Sequence, residues 1–388
     1  MADRPFSVYV HVPFCATRCG YCDFVTYTAD ELPAGGAREA WADVLLGELD
    51  VARAQLGARP VSTVFFGGDT PTLLPPGDLA RVLRGIDERF GLLPGAEVTT
   101  EANPESVDPG SLAALREAGF TRISLGMQHV APHVLEVLER VHAPGRAVAA
   151  AREAHAAGFE HVSLDLIYGT PGETAADWDA ALDAVLDAGV DHVSAYGLIV
   201  EPGTRLAARV RRGELREPDD DELADRYERA DERLTAAGLR WYEIANWAAS
   251  GSARCAHNLA YWRGADWWGA GPGAHSHVDG VRWWNVRHPT AWARRVAAGA
   301  VPEAGREVLT KAQRHTERIL LEVRLAEGLD AAVLGAAGRA ALPGLVAGGL
   351  VEDRTDRVVL TRRGRLLADT VVLALDAQPQ ATGSASIP

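Results

Sequence analysis

The chain has 388 residues, with 39 basic and 53 acidic side chains and a formal charge of −14. That balance excludes a general nucleic-acid surface, and the length suits one large α/β domain plus a smaller one. Four cysteines in so long a chain argue against a disulfide scaffold and for a reducing, cytoplasmic compartment, and no apolar run is long enough to predict a transmembrane helix.

Ser7–Val12 reads as a first strand, and the residues before it lack the charged and apolar regions of a signal peptide. The stretch Tyr9–Phe24 reads YVHVPFCATRCGYCDF and packs Cys15, Cys19 and Cys22 as C-x₃-C-x₂-C. Buried core cysteines have no reason to cluster at this spacing. Three thiolates so close converge on a metal centre. A zinc site needs a fourth ligand, normally a second tight Cys/His pair, and none follows nearby. A [4Fe–4S] cubane takes one ligand per iron, so three cysteines leave one iron open to a small molecule. Tyr21, beside Cys22, would shield the cluster or stack on a planar ligand.

Apolar spacing then predicts helices and strands in alternation. Arg38–Leu56 is helical, Val61–Phe66 a strand, Leu79–Phe90 a helix and Glu97–Glu101 a strand. A helix at Pro109–Ala118, a strand at Arg122–Gly126, and helices at Pro132–Arg140 and Pro144–Ala157 follow. His161–Ile167 and His192–Leu198 read as strands, and Ala175–Ala188 and Asp219–Ala237 as helices. Six such units predict a parallel sheet with crossover helices. Polar and glycine-containing segments fall after the strands, at the rim where ligands of parallel α/β barrels bind: Gly67–Pro71, Glu101–Pro104, Gly126–His129, Asp165–Glu173 and Tyr196–Thr204. The expected division is a core barrel at 1–247, a smaller, mostly helical domain at 248–377, and a disordered Ala/Ser/Pro-rich tail at 378–388.

The cysteine motif, with Gly67-Gly68-Asp69-Thr70-Pro71 after the second strand, resembles the radical S-adenosylmethionine (SAM) superfamily. With Asp165–Glu173, Tyr242–Asn246 and His257-Asn258-Leu259-Ala260-Tyr261-Trp262, the resemblance narrows to the coproporphyrinogen dehydrogenase-like branch and covers about Val8 to Val372. It implies a partial (β/α)₆ barrel with a cluster on Cys15, Cys19 and Cys22. It implies SAM held among Tyr9, Tyr21, Gly68, Asp69, Thr70, Glu101, Gln128, Arg140 and Asp165. Asp69 stands where relatives have glycine, and His129 where they have serine. If position 69 needs a positive φ, aspartate costs on the order of 1 kcal/mol there.

The branch holds a decarboxylase of coproporphyrinogen III and a heme chaperone. The decarboxylase carries a further cysteine two residues past the third ligand, where this chain has Phe24, and an N-terminal extension before the first strand. The HNxxYW motif at His257–Trp262 goes with the chaperone and implies heme bound near His257, with Cys255 and His275 as further iron-ligand candidates. The resemblance thus implies heme, acceptor hemoproteins such as respiratory enzymes at the membrane, and an electron donor as partners. The alternatives are the decarboxylase and a zinc-stabilised α/β scaffold without radical chemistry. The heme acceptor, SAM turnover and oligomeric state are not encoded in any motif.

Overall fold

A computed structural model describes residues 5–31, 38–140, 143–354 and 356–376. The tail expected at 378–388 lies outside the described residues. Two compact units divide the chain: one of 1–241, 245–261 and 265–308, the other of 242–244, 262–264 and 309–388.

In the larger unit, β1 (Phe6–Val12), β2 (Val61–Gly68), β3 (Leu92–Ala102), β4 (Arg122–Gln128), β5 (His161–Tyr168) and β6 (His192–Gly197) pair in sequence order, all parallel. The connecting helices are α1 (Trp41–Leu56), α2 (Pro76–Phe90), α3 (Pro109–Glu117), α4 (Pro132–Val137), α5 (Arg146–Ala156) and α6 (Ala175–Ala188). After β6 come α7 (Arg205–Arg211) and α8 (Asp220–Ala236). These are the six strand–helix units, on one parallel sheet, predicted from the alternation.

Period-two patterning explains the sheet. Val8, Val10, Val64, Phe66, Ile123, Leu125, Val162 and Leu164 are fully buried, forming the apolar face under the helices. The alternate positions carry polar and aromatic side chains that meet one another on the enclosed face. Thr63 donates to Ser7 at 2.8 Å, and Ser124 donates to Asp165 at 2.8 Å. The helices begin on side-chain caps where the sequence supplies them: Asp108 and Thr174 each close a capping box at the start of α3 and α6.

The boundary expected at 247/248 falls instead at 308/309. The intervening Trp- and Gly-rich segment forms β7 (Asn246–Ala248), α9 (Ala256–Trp262), β8 (Asp266–Ala270), β9 (His275–Val278), β10 (Val281–Asn285), α10 (Pro289–Ala297) and β11 (Glu303–Val308). β8 pairs parallel with β1, and β9, β10 and β11 continue that edge antiparallel. β7 lies antiparallel on β6. The segment therefore extends the barrel sheet at both edges. The second unit holds helices at Lys311–Glu322, Ala336–Ala347 and Ala368–Leu375 and a three-stranded antiparallel sheet, around a core that includes Ile319, Val323, Val358 and Val371.

A buried carboxylate ties the added edge to the barrel. Glu48 of α1 accepts from the Gly271 amide at 2.8 Å, Asn285 Nδ2 at 2.7 Å and Trp292 Nε1 at 2.6 Å. Burial pushes its pKa up to about 7, against the pull of these donors. Glu48→Ala leaves the Gly271 amide and the Trp292 indole unsatisfied in the interior, while Asn285 keeps the Gly271 carbonyl at 2.8 Å, and a loss of about 3 kcal/mol is expected. Urea unfolding measures it; a change below about 1 kcal/mol would show that the edge needs no buried acceptor.

Candidate functional site

A cavity of about 390 Å³ opens at the C-terminal ends of β2 to β6. Its wall includes Cys19, Tyr21 and Cys22 from the loop after β1, Gly68, Asp69 and Thr70 after β2, and Glu101, Gln128, Arg140 and Asp165 beyond them. The structure thus brings together most of the residues singled out in the sequence. Cys15 lies on the same loop, its thiol donating to the Thr17 carbonyl at 2.9 Å. Tyr9 is not part of the wall: it stacks on Phe65 at 6.3 Å, and its hydroxyl meets His11 Nδ1 at 3.0 Å.

Local backbone chemistry builds the wall. Gly68 has φ 118°, and its amide donates to Glu101 Oε2 at 3.0 Å. A Cβ there would come within 2.8 Å of His11 and of the Val12 carbonyl, so only glycine fits. The ladder from β4 to β5 shifts register between Gly126 and Gln128, and Gln128 adopts φ 61°. A bulge and a left-handed non-glycine residue together re-aim a side chain at a rim. Arg140 crosses this gap, donating to the Gly126 carbonyl at 3.0 Å and reaching Cys19 Sγ at 3.6 Å. Asp69 is not among the described residues with positive φ, so aspartate at this position carries no backbone strain. His129 is a packing residue: it is fully buried, stacks on Trp178 at 6.3 Å and accepts from the Ala131 amide at 3.0 Å.

The cavity's electrostatics are dominated by carboxylates without enough cations. Burial, then Asp165, pushes Glu101 up to about 8, against the Gly68 amide. Burial raises Asp165 also, although Ser124 donates to it, and burial raises Asp69 to about 6. Sequence reasoning missed Ser124, whose hydroxyl reaches both Asp165 oxygens; Tyr196 and Ile199, from the rim segment Tyr196–Thr204, stand at the cavity mouth. Phe24, Tyr196 and Ile199 stand 63%, 45% and 68% exposed at that mouth.

His257 lies elsewhere. It is buried in α9 near the N-terminal ends of the strands, away from the end that carries the cavity. Glu97 of β3 accepts from the Ala256 amide at 3.0 Å and the His257 amide at 3.0 Å, and pairs with the buried Arg122 at 2.9 Å. Thr63 gives its proton to Ser7 and so accepts from His257 Nδ1 at 2.7 Å. His257 Nε2 is then the acceptor, and the Tyr261 hydroxyl fills it at 2.8 Å. Phe65 stacks on the ring at 5.1 Å. Burial holds the imidazole neutral, with a pKa down at about 3. Both ring nitrogens are occupied, so the expectation that His257 presents a nitrogen to heme iron does not fit this geometry. Cys255 is equally closed, its thiol 3.5 Å from Glu97 Oε1. His275 of β9 is exposed, stacked on Trp284 at 6.0 Å with ring planes 26° apart.

A parallel sheet with a three-cysteine loop at its C-terminal rim is the plan of the radical SAM superfamily, whose profile matches residues 9–185. That superfamily implies a [4Fe–4S] cluster and SAM. The donor set fits: three free thiols on one loop, two of them walling a carboxylate-rich cavity. Among the described residues, no three His, Cys, Asp or Glu side chains converge on a single ion. No helix among the described residues is long and apolar enough to cross a membrane.

Full-length relatives narrow the class. The heme chaperone HemW of Mycobacterium tuberculosis is 56% identical over 97% of this chain and 96% of its own. That of Bacillus subtilis is 31% identical over 94% and 97%, and that of Escherichia coli 37% identical over 74% and 75%. This chain belongs to the HemW family of the radical SAM superfamily. The solved coproporphyrinogen III oxidase HemN of Escherichia coli, a radical SAM enzyme, shares the fold with a TM-score of 0.82 over 97% of this chain and 91% of its own, at 24% identity.

Proposed function

We propose that this protein is a cytoplasmic heme chaperone that binds heme and passes it to acceptor hemoproteins, including respiratory enzymes at the membrane. Cys15, Cys19 and Cys22 hold a [4Fe–4S] cluster, fed by a separate electron donor, and SAM occupies the cavity. The observation that carries the cofactor reading is the cavity's charge. Asp23, Asp69, Glu101, Asp165 and Glu201 face it, with Arg140 the one basic side chain among its described lining residues. SAM brings a sulfonium and an ammonium, the cations such a wall favours. Gly68, Asp69, Thr70, Glu101, Gln128, Arg140, Asp165 and Tyr21 would hold it there, with Tyr9 outside the wall on His11 and Phe65. Bound to a reduced cluster, SAM supplies a 5′-deoxyadenosyl radical.

Heme enters through the HemW relatives, whose name is heme chaperone. Of the three candidate iron ligands, His275 has the supporting geometry. Its imidazole is exposed and backed by Trp284, itself 37% exposed. Gly305 of β11 leaves room for the indole, since a Cβ there would lie 2.6 Å from it. A neutral imidazole on a flat apolar shelf suits an iron porphyrin.

The second reading, decarboxylation of coproporphyrinogen III, is favoured only by the shared fold of HemN; Phe24 stands where that activity's further cysteine is expected. Anaerobic incubation with SAM, a reductant and either coproporphyrinogen III or heme separates the two. One heme bound per chain and no protoporphyrinogen is expected; protoporphyrinogen over multiple turnovers would favour the oxidase.

A further inference from the structure

His275 sits where main-chain pairing gives way to side chains. Strands β8 and β9 pair antiparallel at His277 opposite Trp267, and the ladder stops at that pair. Carried two residues further, the register would set His275 against Gly269. The Gly269 amide goes instead to the buried Ser276 hydroxyl at 2.9 Å, and the His275 carbonyl accepts from Trp267 Nε1 at 2.8 Å. The two chains are close here: a Cβ on Gly269 would collide with the His275 carbonyl oxygen, so only glycine fits.

The indole is itself held. Tyr261 meets the Trp267 ring edge-on at 4.7 Å, and His277 meets it at 5.2 Å. An indole nitrogen only donates, so these contacts decide where its hydrogen points. The bond to His275 lies at the surface, where water would satisfy the carbonyl equally well. What the indole adds is a fixed orientation of the β9 backbone at His275. On the ring itself, Trp284 stacks at 6.0 Å, opposite His275 in the β9–β10 ladder. One exposed histidine thus has its backbone held by one tryptophan and its imidazole by another. Freedom that iron binding would otherwise remove is already gone.

We propose that Trp267 is a positioning residue for heme: it fixes the backbone beneath His275, so that the imidazole meets the iron already oriented. This rests on the reading that His275 is an iron ligand. No bond forms or breaks at Trp267.

The test compares the wild type, Trp267→Phe, His275→Ala and the double variant by heme titration and by the iron–imidazole stretching band of the ferrous heme. Phenylalanine keeps a ring against Tyr261 and His277 but has no N–H to donate. Trp267→Phe is expected to weaken heme binding about fivefold and to shift or broaden that band. In the His275→Ala background the same change is expected to alter affinity by less than about 1.5-fold, because the group it positions is gone. Trp267→Leu, which lacks both donor and ring, is expected to lose at least as much as Trp267→Phe when His275 is present and as little when it is absent. Unchanged affinity and band in these variants, or equal losses in both backgrounds, overturns this inference alone. Heme binding that His275→Ala leaves unaffected overturns the ligand reading beneath it as well.

Discussion

Cys15→Ala, Cys19→Ala and Cys22→Ala each abolish the iron–sulfur absorption, whereas Cys255→Ala keeps it. Two thiolates hold a cubane poorly, because each cluster iron not facing the ligand cavity needs its own donor. Cys15, Cys19 and Cys22 share one loop, clamped where the Gly20 amide meets the Leu138 carbonyl at 3.1 Å and the Leu206 amide meets the Gly20 carbonyl at 2.8 Å. Cys255 is buried, and burial together with the neighbouring Glu97 carboxylate keeps its thiol protonated. Iron and sulfide analysis after anaerobic reconstitution decides the matter, with about four of each per chain expected for the wild type. A Cys255→Ala protein that loses its cluster would overturn the assignment, and stoichiometric zinc without cluster absorption would favour a scaffold.

His275→Ala and His257→Ala are expected to fail in opposite ways. His275 is exposed, so its removal leaves stability within about 0.5 kcal/mol of the wild type. Heme binding weakens at least about tenfold and the Soret band shifts, because iron loses its ligand while the apolar shelf of Trp284 remains. His257→Ala strips a partner from Thr63 and from Tyr261 and opens a void against Phe65. A loss of about 2–4 kcal/mol is expected, with the heme spectrum of the folded fraction unchanged. Urea titration and heme titration on the same preparations separate the roles. A His257→Ala protein as stable as the wild type but with altered heme would return the iron to His257.

The six strand–helix units were legible because buried valine, isoleucine and leucine alternate with polar residues along each strand. Val8 and Val10 beside Ser7 and Tyr9 are a direct case, and the rim motifs followed from the strand ends. The edge strands β8 to β10 were not legible. Trp267, Trp268, Trp283 and Trp284 come as adjacent pairs, and Gly269, Gly271 and Gly273 interrupt the pattern, so no period of two stands out. Without those strands the domain boundary was drawn about sixty residues too early.

The candidate site was legible where one residue type does one job, as in three cysteines on a loop. It was not legible where function depends on what a side chain already touches. His257 within HNxxYW reads as a ligand in sequence, but Tyr261, four residues on and one helical turn away, fills its Nε2. Thr63, which fixes the tautomer, is 194 positions away in the chain. Asp69 stands at a glycine position, and whether that position needs a positive φ shows only in the backbone, which is ordinary there. Ser124, whose hydroxyl holds Asp165, carries no motif at all.

A heme chaperone gives heme away. The most direct measurement mixes anaerobic, heme-loaded protein carrying its cluster with an apo-hemoprotein acceptor or with a passive heme-scavenging globin at the same concentration. Heme transfer is followed by the change in the Soret band. The account predicts faster transfer to the acceptor than to the scavenger, at a rate that rises with acceptor concentration. Equal rates for both, set only by spontaneous heme loss, would contradict it.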